Sequence, residues 1–293
     1  MAEEHPVRVD DGLLRGWRLP DPGGDKSERG TVLVVGGARQ TPGAVLLAAE
    51  AALRVGAGKV QVATAADSAT TLAVALPESF VEGLPVLQDG ELAVAGADRV
   101  LELASDADVV LLGPGLGHPQ SADLFAAQII PHLDTQLVLD ALGTAYLTGR
   151  LDGIRHLTGR ALLTPNVTEL AALLDRPEKA VSDDLLGAVR AVADGTDAVV
   201  LGGGDVSYVA RPRGESWSCD SGPSGLATAG SGDVKAGVAA GLLARGATPE
   251  QAAVWVAWLH GRAGETLEGD QPGFLARDVV GAVPTVLQRF ETR

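Results

Sequence analysis

TVLVV at residues 31–35, GG at 36–37, AVLLAAEAALR at 44–54, GAG at 56–58 and KVQVAT at 59–64 decide the fold. TVLVV is an unbroken β-branched and aliphatic run, which suits a strand buried on both faces. Gly36-Gly37 closes it. The alanine- and leucine-rich run that follows has helical character and stops at Gly56 and Gly58. KVQVAT then reads as a second strand, so the stretch is a βαβ unit. Downstream the alternation continues. DVVLL (108–112) ends in GPGLG (113–117), QLVL (136–139) ends at Asp140, and ALLT (161–164) ends at Pro165 before a helix over 166–174. AVVL (198–201) turns at Gly202-Gly203-Gly204 and returns over 205–210. A Gly/Ser/Ala-rich loop (221–231) leads into helices over 233–244 and 249–264. Repeated strand–glycine–helix units predict an α/β fold with a mainly parallel central sheet and helices on both faces. Residues 1–27 are polar and Pro/Gly-rich and read as an N-terminal lead-in, with one domain over 28–293.

Composition narrows the function. The 293 residues carry a net charge of −15, which argues against a nucleic-acid binder, because a phosphate backbone needs a basic footprint. An anionic substrate then needs a local positive site. Cys219 is the single cysteine, so no internal disulfide forms and a cysteine zinc site is not expected. MAEEH at the start lacks the apolar core of a secretory signal, and no apolar run approaches the ~20 residues of a membrane span. A cytoplasmic protein with no membrane or nucleic-acid partner is expected, and a homo-oligomer.

In open α/β sheets ligands bind beyond the carboxyl ends of the strands, and the unusual residues gather there. ATAGSGD (227–233) is the sharpest segment. Small residues let the amides of Gly230, Ser231 and Gly232 approach an anion at a helix start. Asp233 then reads as a general base beside a transferring phosphoryl group, or as a plain helix cap. The segment is no Walker loop, since no GxxxxGK[ST] occurs. Asn166 and Glu169 stand three apart at a helix start. They read as neighbours of a hydrated Mg²⁺, as a capping box, or as both.

At these residues the chain resembles the ADP/ATP-dependent NAD(P)H-hydrate dehydratases of the ribokinase-like superfamily. The resemblance is carried by Gly36-Gly37 with Pro42-Gly43-Ala44, by AALRVGAG at 51–58, by GPGLG at 113–117, by LTP at 163–165, by GLATAGSGD at 225–233 and by HGRAG at 260–264. It implies a ribokinase-like three-layer fold. It also implies transfer of a phosphoryl group from ADP or ATP to the C6 hydroxyl of hydrated NADH or NADPH, followed by loss of phosphate, with Mg²⁺ as cofactor. Asp233 would deprotonate the hydroxyl. Gly202, Gly203, Gly204, Asp205 and Val206 would hold the donor nucleotide, with Gly230, Ser231 and Gly232 on the phosphoryl group. Ala44, Gly115, Gly117 and Asn166 would line the hydrated nicotinamide nucleotide.

The chain departs from that family at four places. Gly202 stands where a Lys is usual, Leu142 where a second carboxylate follows Asp140, Asn166-Val167-Thr168-Glu169 where His-x-Gly-Glu is usual, and Pro223 where Asn is often found. The NxxE pattern is that of sugar and vitamin kinases. A small-metabolite kinase, or a nucleotide-binding relative with little turnover, are therefore the alternatives.

Overall fold

Strands that are apolar along their whole length need cover on both faces, and this chain supplies it. A computed structural model describes residues 5–21, 24–26, 28–204, 206–270 and 273–291. Its strands are β1 (Val7–Arg8), β2 (Thr31–Val35), β3 (Lys59–Ala65), β4 (Ser79–Leu84), β5 (Val109–Leu112), β6 (Gln136–Leu139), β7 (Ala161–Leu163), β8 (Val199–Gly203), β9 (Ser207–Ala210) and β10 (Ser216–Cys219). They form a single sheet in the order β1-β10-β9-β8-β7-β6-β5-β2-β3-β4. Only the pairings of β9 with β8 and β10 are antiparallel. The expected α/β class with a mainly parallel sheet is what the chain adopts.

Alternation along β2 builds two cores. Val32 and Val34 face one apolar layer, with Ala48, Val234, Val238 and Trp255. Leu33 and Val35 face the other, with Phe125, Ile129, Leu170 and Val189. All four β2 side chains are fully buried, each worth ~1.5–3 kcal/mol over leaving it in water. The first layer is covered by helices Pro42–Arg54, Ser231–Ala244, Pro249–Asp270 and Ala276–Glu291, the second by Ala97–Ala104, Pro119–Ala126, Val167–Leu174 and Leu185–Thr196. The expected lead-in packs against the first layer. β1 pairs with β10, and Leu14 of the short helix Asp11–Gly16 is fully buried there.

Three local readings shift. The helix expected from Asp233 begins at Ser231. Asn166 lies outside its helix as the cap of Val167–Leu174. Gly202 and Gly203, expected in a turn, continue β8, because Tyr208 and Ser207 of β9 pair with them.

One packing contact fixes the site. Helix Ser231–Ala244 lies almost backbone to backbone on helix Pro42–Arg54. A Cβ on Gly237 would sit 2.2 Å from the Ala48 carbonyl oxygen, and one on Gly241 2.5 Å from that of Ala52. Only glycine permits that approach.

Candidate active site

The start of helix Ser231–Ala244 is open. Its N-cap is Gly230, at φ 89°, a conformation costly for any residue with a Cβ. No side chain closes the cap. The Ser231 N–H turns back to the Thr228 carbonyl (3.2 Å). Among the described residues the Gly232 and Asp233 amides have no partner, so they point their positive end outward.

Asp233 does not cap the helix. Half-buried at the third helical position, its carboxylate accepts no hydrogen bond among the described residues. Burial, and secondarily the charge of Glu169, push it up to about 6. Asp140, at the end of β6, is buried and accepts from the Thr164 hydroxyl (2.6 Å). Burial pushes it up to about 7, against that hydrogen bond and Lys235, with the charges of Glu169 and Asp233 adding to the rise.

Asn166 and Glu169 form a complete capping box. The Glu169 N–H donates to Asn166 Oδ1 (2.9 Å), and Glu169 accepts from the Asn166 N–H (2.9 Å) and Nδ2 (2.8 Å). Both Glu169 oxygens are thereby engaged. Burial still raises this carboxyl. Among the described residues no group of three or more His, Cys, Asp or Glu is arranged as a metal cage. A divalent cation at this edge would have to be held by its ligand and by water, since the Glu169 oxygens are already engaged.

Asn166, Gly203, Gly204, Ser231 and Gly232, all expected at the site, line one cavity of about 770 Å³. Lys235 and His260 line it too. In the sequence His260 stands in the HGRAG segment and Lys235 in the helix expected over 233–244, neither with an expected role. The signal for Lys235 was available: position 235 lies one helical turn beyond Ser231, on the same face. The Ser231 hydroxyl lies 2.9 Å from His260 Nε2. Burial and the nearby Lys235 push that imidazole down to about 3, so it is neutral at physiological pH.

Other expected residues fall elsewhere. Gly202 points away from the cavity: a Cβ there would meet Val189 Cγ2 at 2.3 Å. A lysine at 202 would enter the second core layer, because alternate strand residues face opposite ways. Val206 is half-buried and outside the cavity lining, and Asp205 lies outside the described residues. Ala44 and Gly115 adjoin, since a Cβ on Gly115 would lie 2.9 Å from the Ala44 Cβ. Gly117 is exposed beyond them, its N–H donating to the buried Glu91 (3.1 Å). A Cβ on Gly230 would meet Leu47 at 2.7 Å and stand 3.9 Å from Asp233 Oδ2. Leu47 follows Ala44 by three residues on one helix. Asp233 therefore lies on the side of the helix start that faces the Ala44–Gly115 wall, and the cavity lies on the other.

Comparison with known proteins bears on the family and the fold. Residues 32–283 match the NAD(P)H-hydrate dehydratase family model. The chain is 41% identical over 281 residues to the ADP-dependent (S)-NAD(P)H-hydrate dehydratase of Xanthomonas campestris, covering 94% of each. It also matches bifunctional NAD(P)H-hydrate repair enzymes, of which it spans about half the length, 54% for that of Moorella thermoacetica. A ribokinase-like superfamily protein of Enterococcus faecalis shares the fold with a TM-score of 0.80 at 24% identity, over 97% of this chain and 96% of that one. The ADP/ATP-dependent NAD(P)H-hydrate dehydratase of Bacillus subtilis, co-crystallised with ATP and Mg²⁺, gives a TM-score of 0.77 at 25% identity, over 99% and 100%. An open helix start, a carboxylate beside it and a family match running from β2 into the last helix converge on one conclusion: the chain belongs to the NAD(P)H-hydrate dehydratase family.

Proposed function

We propose that this chain is a nucleotide-dependent (S)-NAD(P)H-hydrate dehydratase, with ADP or ATP as phosphoryl donor. The single observation that carries the reading is the unpartnered Asp233 carboxylate. It stands beside free helix-start amides, with the cavity on one side and the Ala44–Gly115 wall on the other. The donor occupies the cavity, and the hydrated nicotinamide nucleotide lies against the wall.

Asp233 takes the proton of the C6 hydroxyl as its oxygen attacks the donor's terminal phosphorus. The bond to the bridging oxygen breaks, releasing AMP from ADP or ADP from ATP. The Gly232 and Asp233 amides receive the charge on the phosphoryl oxygens. Phosphate then leaves C6, pushed out by the ring-nitrogen lone pair, and loss of the C5 proton restores the C5=C6 double bond. Phosphorylation serves this step because hydroxide leaves poorly and phosphate leaves well. Mg²⁺ would neutralise charge on the donor phosphates, held by those phosphates and water, with Asn166 and Glu169 nearby. We take the enzyme to work in the cytoplasm as a homo-oligomer.

The kinase alternative rests on the NxxE pattern and on Gly202 in place of the family Lys; the capping box gives the first a structural role, and a side chain at 202 would meet Val189 in the core. A product assay tests the choice. The dehydratase yields NADPH absorbance and free orthophosphate from NADPH hydrate. A stable phosphorylated product without NADPH would contradict it, and turnover undiminished in excess EDTA would contradict the Mg²⁺ assignment.

A further inference from the structure

The geometry points to Lys235 as the residue that grips the donor's phosphates, an assignment that rests on the dehydratase reading above. Lys235 is the only Lys or Arg among the described residues lining the 770 Å³ cavity. Its Nζ lies 3.4 Å from where a Cβ on Gly203 would stand, so the ammonium hangs over the bare end of β8. Among the described residues it has no hydrogen-bond or ion-pair partner. Asp140 and Glu169 support its charge from a distance, although burial opposes it. A cation held without a partner in a cavity that opens to solvent is arranged for a ligand anion.

Helix geometry places it against the phosphates. Ser231 and Lys235 stand four apart and share a face, both on the cavity. Asp233 and Lys235 stand two apart, ~200° around the axis, so they cannot compete for one ligand group. Lys235 takes the donor side and Asp233 the acceptor side. The transferring phosphoryl lies between them, at the free amides. The arrangement also answers the net charge of −15: the half-buried Lys235 and the helix-start amides together give an anionic donor a local positive site.

The test compares ADP with adenosine, whose difference is the phosphates alone. Calorimetry on wild-type protein should show ADP preferred. Lys235→Met should weaken ADP about ten- to a hundredfold, the loss of one charge-assisted contact, while adenosine stays within about twofold. Lys235→Arg should recover part of the preference. If Lys235→Met fails to fold, Lys235→Gln replaces it. Mass spectrometry on the wild type gives an independent reading, in which ADP but not adenosine protects Lys235 from reductive methylation. Unchanged ADP preference in the variants, equal loss for both ligands, or equal labelling with both would overturn the assignment. Dehydration of NADPH hydrate by the same wild-type protein is scored separately. Its absence alongside a Lys235-dependent ADP preference would overturn the activity and leave this contact standing.

Discussion

Asp233 and Asp140 are two carboxylates near one helix start, and burial suits them to different tasks. At about 6, Asp233 is largely ionised at neutral pH yet more basic than an ordinary carboxylate, a good match for proton abstraction. We expect kcat/KM to fall about tenfold per pH unit below about 6, read from a pH–rate profile; a flat acid limb would remove Asp233 as base. Asp233→Asn should cost ~10²–10⁴-fold in kcat with no loss of thermal stability at neutral pH, since no cap hydrogen bond is lost and the burial penalty on the ionised carboxylate is relieved. Asp140 titrates at about 7 in the folded chain, against ~3.9 when unfolded. The unfolded chain therefore binds fewer protons between these values, so Asp140 weakens the fold as pH rises from 4 to 7 and remains a penalty above. Asp140→Asn keeps the Thr164 contact and should raise stability by a few kcal/mol at pH 8, with the gain vanishing toward pH 4. Denaturant titrations at both pH values decide it. In the sequence, Asp233 was legible because Gly230-Ser231-Gly232 leads into it. The coupling of Asp140 to Glu169 and Asp233 was not, because only the fold brings two strand ends and a helix start together.

At the scale of elements, the pairing of helices Pro42–Arg54 and Ser231–Ala244 sets where the site sits. Gly237→Ala would drive a Cβ to 2.2 Å from the Ala48 carbonyl, so the helices must part. We expect a loss of ~1–3 kcal/mol in urea denaturation. Turnover should fall further than stability accounts for, since a 1 Å misplacement can cost ~10²-fold. The same substitution at Gly281, exposed and with nothing within 4 Å, should instead stabilise by up to ~1 kcal/mol. The βαβ unit was legible because its strands are apolar on both faces. β4 was not: SFVEGL alternates as a half-exposed edge strand rather than a continuous run. Gly202 misled for another reason. Residue type suggested a turn, whereas pairing with β9 carries the strand through it and strand parity turns it to the core.

For the whole molecule, the ten strands and two apolar layers of the described residues serve to hold one edge still. Asp140, Asn166, Gly203 and the Ser231 helix start all lie at or just beyond the strands' carboxyl ends. The proposed anion site, with the half-buried Lys235 and the Gly232 and Asp233 amides, lies at that edge of a strongly acidic protein. Among the described residues no helix is long and apolar enough to cross a membrane. In the proposed reaction the phosphoryl group of ADP or ATP is spent to expel a hydroxyl, not to leave a phosphorylated product. The most direct test follows NADPH absorbance, orthophosphate and nucleotide in one reaction of wild-type protein with NADPH hydrate, Mg²⁺ and ADP. NADPH, orthophosphate and AMP should form in equal amounts, all suppressed together in Asp233→Asn. AMP formed with a stable phosphorylated nucleotide and no NADPH, or full turnover in the variant, would contradict it.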